Sequence, residues 1–154
     1  RPLRDCLWEL GRLSFLQATG GKGLQGVAPL TPQAGCADVT AFARAVAEAL
    51  VSDAPDRYTA NPLKRTRTGK IFIDYLRNTR GSSAISCYSP RAKPRASVAT
   101  PLRWDELGKL NSGAPYTVKT LAARLSRLKS DPWEGYFTTS QSMTGKARRI
   151  LGVA

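Results

Sequence analysis

The apolar positions of this chain fall into patterns that predict different elements. From Asp38, residues Val39, Phe42, Ala43, Val46, Ala47 and Leu50 recur at helical spacing, one stripe of a helix with Asp38 as N-cap and Pro55 beyond its end. This helix is expected to pack on a sheet and to carry no chemistry. At the N-terminus, DCLWELGRLSF predicts a short amphipathic helix from Asp5 to Leu10 stopped by Gly11, which reads as the tail of something longer. Ser14 to Ala18 and Leu24 to Leu30 read as strands joined by the turn Thr19-Gly20-Gly21-Lys22-Gly23. Lys70 to Arg77, KIFIDYLR, has the Ile, Phe, Tyr and Leu content of a strand. Ile71, Ile73 and Tyr75 would point to one face and Phe72, Asp74 and Leu76 to the other. With both faces largely apolar, the strand is expected to be central.

The second half is more broken. A strand over Ser82 to Tyr88 is expected to pair with the one before it, followed by SPRAKPRA, which its prolines should hold extended. Thr100-Pro101 reads as the cap of a short helix containing Trp104 and Leu107. Thr117 reads as the N-cap of another, striped by Val118, Leu121, Leu125 and Leu128. Its other face shows Lys119, Arg124, Arg127 and Lys129, a solvated surface or a contact for a nucleic-acid backbone. Trp133 and Tyr136 should dock on the core. From Thr138 the chain turns polar, giving a domain over 1–137 and a basic tail or linker over 138–154.

Charge changes this picture. In 154 residues there are 24 Lys plus Arg against 11 Asp plus Glu, a net +13, with a pI near 10.3. A polyanionic partner follows, nucleic acid first, since neutralised phosphates release condensed counterions. The absence of histidine excludes Cys/His zinc sites and every imidazole base. Cys6, Cys36 and Cys87 are odd in number and widely spaced, the usage of reduced thiols in a cytoplasmic protein. No apolar run is long enough for a membrane span.

Two constellations carry candidate chemistry. The glycines of the 19–23 turn free the backbone to converge its amides on an anion beside Lys22; an ordinary glycine hairpin is the competing reading, and the spacing is not that of a Walker A loop. Between Lys64 and Arg95 stand Lys64, Arg65, Arg67, Lys70, Arg77, Arg80, Arg91, Lys93 and Arg95 with a single acid, Asp74. A carboxylate buried in an apolar strand needs an arginine partner or a metal.

The segments TGGKGLQGVAPL, KRTRTGKIFIDYLRN, YSPRAKPRASVATPLRWDEL and DPWEGYFTTSQ resemble, in family order, the polymerase domain of bacterial ATP-dependent ligase D, a member of the archaeo-eukaryotic primase superfamily serving non-homologous end joining. The resemblance implies an α+β fold, a primase-type mixed or antiparallel sheet with flanking helices, incomplete at the N-terminus. It implies a DNA-directed nucleotidyltransferase that uses Mn or Mg and NTPs or dNTPs. Mapped by motif, Asp74 falls on the last of three metal aspartates and is the catalytic residue. Thr19, Gly20, Gly21, Lys22, Gly23, Gln25, Arg67, Arg77 and Arg91 fall on nucleotide- and phosphate-binding positions, and Lys64, Arg65, Lys93 and Arg95 on DNA-binding ones. Two departures stand out. Gln25 replaces a family histidine that contacts the phosphates, and the DxDPG motif carrying the other two aspartates would lie upstream of Arg1, for no Asp-x-Asp occurs in the chain. The expectation is a polymerase domain inactive by itself, the alternative a degenerate, non-catalytic module binding a DNA end or its 5′-phosphate. Expected partners are DNA, a nucleoside triphosphate, Ku and attached ligase or nuclease domains, in the bacterial cytoplasm at the nucleoid.

Overall fold

A computed structural model describes residues 3–152. In chain order its elements are α1 (Leu3–Glu9), β1 (Phe15–Ala18), β2 (Leu24–Val27), α2 (Cys36–Asp53), β3 (Tyr58–Thr59), β4 (Ile71–Phe72), β5 (Thr100–Leu102), α3 (Leu121–Leu125) and α4 (Gly145–Ile150), with short 3₁₀ helices at Lys64–Arg67, Leu76–Asn78 and Trp104–Lys109. They divide into two compact units. One holds the residues up to Leu13, Leu30–Ala84 and those from Ser140 on; the other holds Ser14–Pro29 and Ile85–Thr139.

The first unit is built on α2. Its predicted stripe buries Phe42, Val46, Ala47 and Leu50. Phe42, Val46 and Leu50 cluster with Cys6, Leu7 and Leu10 at α1 and with Ala147 of α4, and α2 also lies against β3. The helix begins at Cys36, two residues before the expected cap, because Asp38 works from inside the first turn: its carboxylate accepts the Gly35 amide at 3.2 Å. It stops at Asp53, where Pro55 disfavours helical backbone in the residue before it. Of the stretch read as a polar tail from Thr138, the residues from Ser140 on belong to this unit. Gln141 exchanges hydrogen bonds with the Leu13 amide and carbonyl, both at 2.9 Å, and Thr144 caps α4 by accepting the Ala147 amide at 3.2 Å. The last two residues of that tail lie outside the described residues.

The second unit is an antiparallel sheet in the order β2-β1-β5. Leu16 of β1 pairs with Gly26 of β2 and Leu102 of β5. Leu16, Ala18 and Leu102 form its core with Trp104, Leu110 and Tyr116. Phe15 packs on Trp133 and Tyr136, with ring centroids at 5.8 and 5.3 Å. The indole of Trp133 donates to the Leu16 carbonyl at 2.7 Å, so both aromatic residues dock as expected.

Five local expectations are corrected. The central strand over Lys70–Arg77 shrinks to Ile71–Phe72, paired in parallel with β3, and Ile71 is 59% exposed. The chain curls because Asp74 Oδ1 accepts the Leu76 amide at 3.1 Å, while the Asn78 amide group and Thr79 hydroxyl bond the Tyr75 and Leu76 carbonyls. Such side-chain bonds compete with a ladder. Ser82–Tyr88 forms no strand. SPRAKPRA is not extended: the Arg91 amide donates to the Ser97 carbonyl at 2.7 Å and Ala96 to Lys93 at 2.8 Å, with Ala96 at φ +44°. Thr100-Pro101 belongs to β5, an edge strand, where a proline is tolerated. The helix expected after Thr117 is only Leu121–Leu125 and buries none of its residues.

Among the described residues no disulfide is formed and Cys6 is buried. Among the same residues, no helix is long and apolar enough to cross a membrane.

Candidate functional site

The turn between β1 and β2 is a built feature of the second unit. Thr19 closes it, its amide and hydroxyl both donating to the Gly23 carbonyl, at 3.2 and 2.7 Å. The same hydroxyl accepts the Gly21 amide at 3.2 Å. Gly20 sits at φ +67°, where a Cβ would also meet Arg91 Cγ at 2.9 Å and the Val98–Ala99 backbone at 3.0 Å. Only glycine fits both the conformation and the space. A Cβ on Gly21 would lie 3.7 Å from Lys93 Nζ. Arg91 and Lys93 are therefore folded against the turn that carries Lys22, because the loop after Pro90 doubles back on Ser97 and Val98.

The arrangement suits a polyphosphate. Lys22 and Lys93 supply compact, mobile charges and Arg91 a planar fork, and the turn supplies backbone amides. Not all of its amides are open: Gly20 donates to the Gly113 carbonyl at 3.0 Å and Gly21 to Thr19. Among the described residues the Lys22 and Gly23 amides make no backbone hydrogen bond, so an anion would be met on that side of the turn. Gln25 follows on β2 opposite Gln17, and Arg95 is exposed on the loop beyond Lys93.

The other candidates belong to the first unit. Asp74 is exposed, against the expectation of burial, because the strand ends before it. Its Oδ1 holds the Leu76 amide and its Oδ2 lies 3.4 Å from Arg77 Nε, so Arg77 is the arginine partner. Arg67 stacks on Phe72 with its guanidinium carbon 3.7 Å from the ring centroid and donates to the Pro62 carbonyl. Lys64 and Arg65 are exposed on the 3₁₀ helix Lys64–Arg67. Among the described residues no group of three Cys, Asp or Glu could hold a metal ion.

Arg124, expected on a solvated face, is instead drawn inward. Its side chain is 8% exposed, gripping Glu106 at 2.5 and 3.0 Å. The Tyr116 hydroxyl accepts at 2.9 Å from the guanidinium, which also lies over the Tyr116 ring. Burial pushes the Glu106 carboxyl up, but the hydrogen bonds from Arg124 and the Arg103 amide, with both positive charges, outweigh it and hold the group below its ordinary value. This pair braces the unit. Two supports of the turn, Ser97 and Gly113, had no sequence signal beyond ordinary loop composition.

The second unit's antiparallel sheet and its glycine-rich turn point to a class. A solved structure, the polymerase domain from Mycobacterium tuberculosis ligase D in complex with DNA, matches with a TM-score of 0.78 and 30% identity, over 86% of this chain and 45% of that one. The fold is therefore that of a DNA-repair polymerase domain. Residues 1–133 match the family described as LigD, primase-polymerase domain, and the chain belongs to that family. The multifunctional non-homologous end joining protein LigD of Pseudomonas aeruginosa is 39% identical over 145 residues, 94% of this chain and 17% of that protein. The bifunctional LigD of Bacillus subtilis is 31% identical over 126 residues, 81% of this chain and 21% of that protein. The chain thus spans less than a quarter of either relative.

Proposed function

We propose that this chain supplies the triphosphate-gripping part of a DNA-directed nucleotidyltransferase domain that adds nucleotides at broken DNA ends during non-homologous end joining. One observation carries the reading: the Thr19–Gly23 turn, Arg91 and Lys93 lie against one another in one unit, a cationic cradle of the kind a nucleoside triphosphate needs. In this reading Gln25 contacts the phosphates less strongly than the histidine it replaces. By their motif positions Arg67 and Arg77 are assigned to phosphate binding, and Lys64, Arg65, Lys93 and Arg95 to DNA binding. A Mn or Mg ion, were one bound, would supply charge neutralisation for the triphosphate. Asp74 would be one of its ligands, after release from Arg77, only where further carboxylates join it. DNA, NTP or dNTP, Ku and linked ligase or nuclease domains are the proposed partners, in the bacterial cytoplasm at the nucleoid.

The engagement of both Asp74 oxygens favours a second reading for the chain alone, a non-catalytic module that grips a DNA end or its 5′-phosphate. A primer-extension assay with Mn and ribonucleotides, on this chain and its Asp74→Ala variant, tests both readings. No extension by either is expected. Extension that survives Asp74→Ala would overturn the assignment of Asp74, and extension lost in the variant would overturn the non-catalytic reading.

A further inference from the structure

The phosphate-type turn does not hold itself. Gly20 is gripped on both sides by segments distant from it in the chain. Its amide donates to the Gly113 carbonyl at 3.0 Å. Its own carbonyl accepts the hydroxyl of Ser97 at 2.6 Å, a bond buried from water. The two gripping segments are themselves joined. The Val98 amide donates to the Tyr116 carbonyl at 2.9 Å, the Val118 amide to the Ala96 carbonyl at 3.0 Å, and Ser97 bridges to Thr117.

Gly113 does more than accept a hydrogen bond. It is buried, and a Cβ there would lie 2.6 Å from the Gly23 carbonyl oxygen, 2.7 Å from the Lys22 carbonyl carbon and 2.8 Å from the Gly23 nitrogen. All three are backbone atoms with no rotamer to move aside, so any side chain at 113 must displace the turn at Lys22–Gly23. Those two residues carry the amides left open for an anion. Gly113 is therefore a floor under the open half of the turn, and its carbonyl removes the Gly20 amide from the ligand's reach.

We propose that Gly113 and Ser97 are positioning residues for phosphate binding, a clamp that fixes the Thr19–Gly23 turn so that the Lys22 and Gly23 amides converge with Lys22, Lys93 and Arg91 on one polyphosphate. The proposal rests on the triphosphate reading of this turn and adds which residues outside it set its geometry.

The test uses the 154-residue chain and inorganic triphosphate as probe, with backbone amides followed by nuclear magnetic resonance. In the wild type, triphosphate should shift the Lys22 and Gly23 amides, and the Gly20 amide should exchange slowly with solvent. Gly113→Ala should weaken triphosphate at least tenfold, abolish those shifts and speed Gly20 exchange at least tenfold, while the β1–β2 ladder amides keep their dispersion. Ser97→Ala removes one buried hydroxyl without adding bulk and serves where Gly113→Ala does not fold; it should weaken triphosphate by roughly threefold to tenfold. Variants that bind within twofold of the wild type, with the same amides shifting, would overturn the clamp and leave the triphosphate reading standing. A wild type that binds no triphosphate would overturn the reading and the clamp with it.

Discussion

Asp74 shows how little a residue's identity settles before its neighbours are placed. In the sequence it stands as a carboxylate among Ile, Phe and Tyr, where burial would demand a metal or a cation. In the structure it is exposed, holds the Leu76 amide and faces Arg77, so burial exerts no pressure on it. A half-buried ion pair stands at Glu106 and Arg124, the latter read from the sequence as part of a solvated face. Because the folded carboxyl of Glu106 lies below its ordinary value of 4.5, its contribution to stability is fully present above that value and is lost as pH falls through the folded one. Urea unfolding of Glu106→Gln should show a loss of about 2 kcal/mol at pH 7. That difference from wild type should shrink on acidification below about pH 4.5. A pH-independent difference would mean that charge is not what the pair contributes.

Elements were legible where period and length reinforced each other. The α2 stripe ran for more than three turns, and the structure buries Phe42, Val46, Ala47 and Leu50 from it. Leu50, 1% exposed, should cost about 2–5 kcal/mol when cut to Ala, as for other buried leucines, read from the denaturation midpoint. A shift below about 0.5 kcal/mol would mean that the site collapses around the smaller side chain. The β1–turn–β2 hairpin was equally legible, because five turn residues with three glycines separate two apolar runs. Legibility failed over Lys70–Arg77 and Ser82–Tyr88, where strand-like composition lost to turns fixed by Asp74, Asn78 and Thr79. It failed also over SPRAKPRA, whose prolines promised extension while pairing with Ser97 and Val98 folds it back. Of the candidate site, the turn and Arg91 could be read from motif. That Lys93 joins them, and that Ser97 and Gly113 hold Gly20, depends on contacts between segments more than 70 residues apart in the chain and has no local signature.

For the molecule as a whole, a net charge of +13 acts before any specific contact forms. If DNA meets 6–10 of the lysines and arginines through its phosphates, affinity should fall about 10³–10⁵-fold between about 50 and 200 mM salt. A fluorescence-anisotropy titration of a duplex reads that slope, and a flat response would remove the basic residues from the interface. Lys64→Ala with Arg65→Ala removes two exposed cations and should weaken the duplex in the same titration. The central claim is that the turn and Arg91 form one triphosphate site. The most direct measurement is calorimetric titration of a ribonucleoside triphosphate, with Mg, into wild type and Arg91→Ala. Saturable binding that weakens about tenfold or more in the variant, an ion-assisted contact being worth about 1.5–3 kcal/mol, is the predicted result. Equal affinity in the two proteins, or no binding to the wild type, would contradict it.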